Sequence, residues 1–271
     1  MSEYPGPITI PAMPHTYCNG HRVYYSVSPG TDGLPLVLIH GAGNNRYSWP
    51  ARMRRDPSRP VIAVDLPGHG RSDGPPAQRL AEYVRPVLAV LDGLNYPQAV
   101  MVDHSMGGAI AQLVALQHPA RVAGLVLIGT GLTLPVAQQI LAGVAQDFES
   151  FAPRLVGWCF RRDAPRKLRR PALERFRKLP PETVLADYRA CNEFDTRNTI
   201  TAWKGPTLII CGEADIMTPV DRSHELAAVL PQARLTLVPQ AGHMVMVEQA
   251  AEVADLINNF VAGLESERGN T

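Results

Sequence analysis

A chain of 271 residues with 26 Lys and Arg, 25 Asp and Glu and 45% apolar residues has the size and balance of one large α/β domain with room for an insertion. Its formal charge of +1 gives no bulk attraction to nucleic acid or to a membrane surface, and no apolar run has the length of a signal peptide or a span. Cys18, Cys159, Cys191 and Cys211 are too scattered for a metal site or a disulfide framework, so the expectation is a cytoplasmic protein that meets a small molecule.

The first 15 residues form a proline-rich arm. Residues 16–27 then carry Asn19-Gly20 between two short runs, which predicts a two-residue hairpin and an antiparallel edge to a sheet. A continuous apolar run at 34–39 has the character of a strand buried on both faces, and it ends in His40-Gly41-Ala42-Gly43-Asn44-Asn45. Those glycines let backbone approach a ligand closely, and the N–H of Ala42 is placed to face an oxyanion. Residues 61–64 predict the next strand, closed by Asp65-Leu66-Pro67-Gly68-His69-Gly70-Arg71-Ser72, a compact turn in which Asp65 accepts from nearby amides. His69 is read as a surface or packing residue of that turn rather than a base. Helical spacing covers 81–91, with Pro86 expected to kink it.

Next comes Val100-Met101-Val102-Asp103-His104-Ser105-Met106-Gly107-Gly108, a β-branched strand running through a sharp turn into the helical pattern of 109–117. Such a turn holds Ser105 at its apex and aims the first helical amide, that of Met106, at any oxyanion formed by Ser105 attack. Asp103 stands where a glycine is usual in the G-x-S-x-G elbow. Two readings of it follow: a turn aspartate bonded to backbone amides, or a charge close enough to His243 to raise the histidine pKa.

A buried strand at 122–128 completes an alternation of strands and helices that predicts a mostly parallel sheet with helices on both faces. The alternation then stops. Four helical segments, at 136–144, 148–160, 166–179 and 182–194, predict an inserted helical cap over 132–203, set into a core made of 1–131 and 204–271. The stretch 161–178 holds nine Lys or Arg against Asp163 and Glu174, either a solvated face or a surface for anionic substrates or headgroups. Cys159 and Cys191 both fall in this cap, leaving a bridge between them open. A strand at 206–212 leads directly to Glu213-Ala214-Asp215, a helix to 221–230, and a last strand at 234–238 to Gln240-Ala241-Gly242-His243. A helix over 248–261 closes the fold, with a disordered tail expected after Leu264.

Ser105, Asp215 and His243 therefore each follow a strand, in the order nucleophile, acid, base. A neutral hydroxyl needs a base, and the base needs an anion to fix its tautomer, so three strand ends supply a complete set. Glu213 is the fallback acid. Neither a G-x-G-x-x-G opening a helix nor a cluster of metal ligands is present, so no cofactor is expected.

With these residues in place, the chain resembles the α/β-hydrolases over nearly its whole length. The sequences His104-Ser105-Met106-Gly107-Gly108 and Pro206-Thr207-Leu208 are similar to those of the bacterial lipolytic enzymes called family V. The resemblance implies a serine carboxylesterase with a helical lid, favouring short to medium acyl chains, with N-acyl-homoserine lactones among the substrates of some relatives. Other chains of this kind hydrolyse carbon–carbon bonds, act as perhydrolases or bind small hormones without turnover, and those alternatives stay open.

Overall fold

The computed structural model of the protein describes residues 14–31 and 33–269; most of the N-terminal arm and the last two residues of the tail lie outside the described residues. Strands β1 (His15–Cys18) and β2 (His21–Ser28) form the expected hairpin. Both of its turn residues, Asn19 (φ 51°) and Gly20 (φ 81°), are left-handed, the two-residue turn whose twist matches the flanking strands. β3 (Leu36–Ile39), β4 (Val61–Val64), β5 (Ala99–His104), β6 (Val122–Ile128), β7 (Thr207–Gly212) and β8 (Ala233–Val238) then run parallel to one another. The eight strands lie in the order β1-β2-β4-β3-β5-β6-β7-β8, with β2 antiparallel to β4.

Alternate residues of each parallel strand face opposite sides of the sheet, and both sides are apolar. Val37, Ile39, Ile62, Val64, Met101, Leu125 and Leu127 belong to one buried cluster, shared with helices α1 (Val84–Gly93) and α2 (Met106–Gln117). Leu36, Leu38, Val61, Ala63, Val100, Val102, Val126 and Ile128 belong to the other. Strands with both faces covered must read as unbroken apolar runs, which is why they stood out in the sequence.

Between β6 and β7 stand four helices: α3 (Gln138–Gln146), α4 (Phe148–Trp158), α5 (Arg166–Phe176) and α6 (Pro181–Asn192). After β7 come α7 (Val220–Val229), α8 (Val245–Glu248) and α9 (Ala250–Gly269). No helix among the described residues is long and apolar enough to cross a membrane.

Two expectations need correction, and a question left open about the cysteines is answered. Pro86 does not kink a helix: a 3-10 turn over Leu80–Tyr83 precedes α1, so Pro86 falls in the first turn, where its missing N–H is not called for. The tail after Leu264 is helical through Gly269, because buried Leu264 and Glu265 anchor it. Glu265 accepts from the Leu34 amide at 2.8 Å and from Arg59 Nη1 at 2.9 Å, so this helix also holds the entry to β3. Finally, all four cysteines are free, and no bridge joins Cys159 to Cys191.

The chain passes from β3 outward to β4 and returns to β5 on the other side of β3. That reversal opens a crevice at the carboxyl ends of β3 and β5, the place where ligands bind in open α/β sheets. α2 enters the crevice at very short range: a Cβ on Gly107 would lie 2.4 Å from the Ile39 carbonyl oxygen. Gly107→Ala must therefore push α2 away from β3. We expect a loss of about 1–3 kcal/mol in urea unfolding, the usual cost of overpacking, with activity falling by more than the lost folded fraction; unchanged stability would contradict this packing.

Candidate active site

β5 delivers Ser105 into the crevice at φ 55° and ψ −114°, a left-handed conformation that costs a non-glycine residue on the order of 1–3 kcal/mol. Its amide is held by the Ile128 carbonyl of β6 at 2.8 Å. Met106 opens α2, and the first amides of a helix have no partner within it, so the Met106 N–H is available beside Ser105. The loop after β3 lies against the same turn: a Cβ on Gly41 would stand 2.9 Å from His104 Nδ1 and 3.2 Å from Ser105 Cβ. Ala42 follows directly, lining one cavity together with Ser105 and His243.

Asp215 and His243 meet. His243 Nδ1 donates to Asp215 Oδ2 at 2.8 Å, which leaves Nε2 as the unprotonated nitrogen of the neutral ring. Asp215 Oδ1 accepts from the amides of Met217 at 2.8 Å and Thr218 at 2.9 Å, and the Thr218 hydroxyl donates to Oδ2 at 2.8 Å. Burial alone would raise the Asp215 pKa, but His243 and these donors outweigh it and hold the carboxyl below its ordinary value. Glu213, the alternative acid, is exposed.

The His243 loop is fixed from three sides. The Gly242 amide donates to Glu248 Oε1 at 2.8 Å, the Met244 amide donates to the Cys159 carbonyl at 2.8 Å, and His104 Nε2 donates to the His243 carbonyl at 3.0 Å. In the sequence His104 stands only as part of the segment around Ser105, with no role of its own read for it. Burial, together with neighbouring His243, pushes its pKa down to about 3, so it stays a neutral donor.

The loop after β3 is equally constrained. His40 accepts from the Leu66 amide through Nε2 at 3.2 Å, and its Nδ1 faces the Gly41 carbonyl at 2.9 Å. Burial and neighbouring His69 hold its pKa well below the usual range, in keeping with a ring nitrogen that must accept. Asp65 behaves as expected, accepting from the amides of Arg46 at 2.8 Å and Arg71 at 3.0 Å and pairing with the Arg46 guanidinium. His69 is buried and packed, but it is also ionically paired, with Nε2 2.8 Å from Asp187 of α6. Burial pushes the His69 pKa down; the charge and hydrogen bond of Asp187 more than reverse this, and the net shift is upward. Asp187 escaped the sequence reading because its partners lie over a hundred residues away.

The cavity encloses about 480 Å³ and is lined largely by apolar side chains, among them Leu134, Val136, Ile140, Trp158 and Met217. Ile216, 63% exposed, stands on its lining as well. Among the described residues no group of three or more His, Cys, Asp or Glu could hold a metal ion.

Asp103 differs from both readings of the sequence. It is fully buried, and no donor meets either carboxyl oxygen in hydrogen-bond geometry. Burial drives its pKa well above the ordinary range, opposed only by the Ile39 backbone alongside. That direction runs against the second reading, which needs a charge on Asp103.

The alpha/beta hydrolase fold family matches residues 35–250 of the chain. A 2-hydroxymuconate semialdehyde hydrolase of Pseudomonas putida is 33% identical over 256 residues, covering 85% of this chain and 88% of its own. Among solved structures, an enzyme described as degrading N-acyl homoserine lactones is 27% identical with a TM-score of 0.80, covering 91% of this chain and all of its own. A thermophilic esterase is 28% identical with a TM-score of 0.79, covering 93% and 98%.

The state of Asp103 has a thermodynamic signature. Its folded pKa lies above its unfolded value, so the stability it contributes below about pH 4 is lost as pH rises toward the folded pKa. The amide of Asp103→Asn does not titrate. The melting temperature of that variant relative to wild type should therefore climb as the pH rises above about 4; a gap that stays constant with pH would show that the carboxyl ionises normally.

Proposed function

Because this chain belongs to the alpha/beta hydrolase fold family, we propose that it is a serine carboxylic-ester hydrolase working through an acyl-enzyme on short to medium acyl esters. The observation that carries the reading is the strained Ser105 at the head of α2, on one cavity with a His243 whose Nδ1–H is committed to Asp215. In this reading His243 Nε2 takes the Ser105 proton as Oγ attacks the ester carbonyl. Asp215 stabilises the imidazolium that forms, and the amides of Met106 and Ala42 receive the oxyanion. The protonated imidazole then returns its proton to the departing alkoxide. Water, activated by the same nitrogen, releases the acid and regenerates Ser105.

We assign residues 132–203 as a lid over a core of 1–131 and 204–271, supported by four helices inserted between β6 and β7 and by their side chains on the cavity wall. An apolar wall made by Leu134, Val136, Ile140 and Trp158 suits an acyl chain, each further methylene being worth about 0.8 kcal/mol when fully buried. Lactone opening uses the same steps and is supported by the relative that degrades N-acyl homoserine lactones. The Pseudomonas putida relative favours a second reading, hydrolysis of a carbon–carbon bond beside a ketone.

A fluorophosphonate probe should label wild type and fail to label Ser105→Ala; labelling that survives the substitution removes Ser105 from the mechanism. On p-nitrophenyl esters of graded length, Ile140→Trp should shift kcat/KM toward shorter acyl groups by roughly several-fold per carbon. Equal effects on acetyl and hexanoyl esters would place the acyl chain elsewhere. If a dienoic ring-fission ketone is turned over far faster than any ester or lactone in the same panel, the carbon–carbon reading replaces the esterase.

A further inference from the structure

The amide of Gly43, one residue beyond Ala42, donates to Asp187 Oδ2 at 2.8 Å. Asp187 belongs to α6, in the four-helix insertion, whereas Gly43 belongs to the loop leaving β3. The carboxylate is held by two more groups of the sheet domain: His69 Nε2 at 2.8 Å on Oδ2 and the Tyr83 hydroxyl at 3.3 Å on Oδ1. His69 and Tyr83 sit in different segments, so three stretches of chain converge on one buried side chain.

The geometry also fixes the charge on His69. Its Nδ1 faces the Pro67 carbonyl at 3.0 Å and its Nε2 faces Asp187. Both partners only accept, so both nitrogens must carry hydrogen and the ring is an imidazolium opposite a carboxylate. The groups around it are Asp187 on α6, Asp65 on the turn after β4, His40 after β3 with its ring 4.9 Å away, and Tyr83 at 6.3 Å before α1. A buried ion pair with each oxygen occupied is rigid, since any movement leaves a desolvated charge unpaired.

We propose that Asp187 is a positioning residue for the oxyanion hole: from the insertion it clamps the Gly43 amide, and so orients the neighbouring Ala42 N–H toward the oxyanion formed at Ser105. This rests on the serine-hydrolase reading given above. The insertion then supplies part of the transition-state machinery as well as a wall for the acyl group. A donor that must meet an oxyanion within a few tenths of an ångström stabilises the transition state far more than the bound ester, so disturbing it lowers kcat with little effect on KM.

The experiment compares wild type, Asp187→Ala, Asp187→Asn and Tyr83→Phe on one p-nitrophenyl ester, with melting temperatures recorded for each. Affinity is measured for a trifluoromethyl ketone, which forms a tetrahedral adduct with Ser105, and for a non-hydrolysable amide analogue of the ester. Removing an oxyanion donor outright costs about 100- to 1,000-fold, so misplacing one should lower kcat of Asp187→Ala by roughly ten- to a hundred-fold. Ketone affinity should fall by a similar factor, while KM and amide binding stay within about twofold of wild type. Asp187→Asn, with its amide oxygen at the place of Oδ2, still accepts from the Gly43 amide and from His69 Nε2, while its NH2 meets the Tyr83 hydroxyl, and it should recover most of the loss. Should Asp187→Ala fail to fold, Tyr83→Phe removes the 3.3 Å contact to Asp187, along with the 3.1 Å bond from the Ala77 amide, and should lower kcat and ketone affinity together by a few-fold.

A folded Asp187→Ala with wild-type kcat and ketone affinity overturns the proposal. So does a parallel loss of ketone and amide binding, which would mean general damage to the cavity, or a Tyr83→Phe variant that is indistinguishable from wild type when the alanine variant is unfolded. Failure of the underlying reading is separately visible, because wild type would then take up no fluorophosphonate at Ser105.

Discussion

The tight approach of α2 to β3 is the constraint on which the rest depends. With Gly107 set against the Ile39 carbonyl, β5 must end in a turn too sharp for ordinary backbone angles, and Ser105 takes the left-handed conformation at its apex. Strain of this kind persists only where surroundings over-determine it. Here the Ile128 carbonyl holds the Ser105 amide, and the loop at Gly41 leaves the turn no space to relax. Strands buried on both faces supply the rigidity, since a shift of one strand would disturb two apolar layers at once.

Around that turn, charge is assigned by hydrogen-bond partners more than by intrinsic acidity. His40 must accept from an amide and is neutral; His104 must donate to a carbonyl and is neutral; His69 faces two acceptors and is charged. Three buried imidazoles within one neighbourhood thus hold three different hydrogen arrangements. Each steadies a separate loop: His40 the one after β3, His104 the one carrying His243, His69 the one after β4. Asp103 is different: neither carboxyl oxygen meets a donor in hydrogen-bond geometry, and burial pushes its pKa well above the ordinary range.

Most of the sheet was legible because its signals are local. Apolar runs of strand length, Asn19-Gly20 and the small residues around Ser105 each state their conformation within a few positions. The contact between Asp215 and His243 was legible from chain order alone, since both residues follow parallel strands whose ends must lie together. Contacts between distant segments were not. Nothing near Asp187 in the sequence announces His69 or Gly43, and a lone histidine between glycines gives no sign of its ionic partner. Pro86 misled because the 3-10 turn before it shifts the helix start, turning an interior proline into a first-turn one. The helix beyond Leu264 was missed because Glu265 is stabilised by Leu34 and Arg59, across the whole length of the chain.

The insertion grips both loops that flank Ser105: the Cys159 carbonyl holds the amide after His243, and Asp187 holds the amide after Ala42. Moving the four helices away as one body would break both of these bonds and part the buried His69–Asp187 pair. The cavity, whose lining includes the exposed apolar side chain of Ile216, is therefore walled by elements that these contacts hold in place.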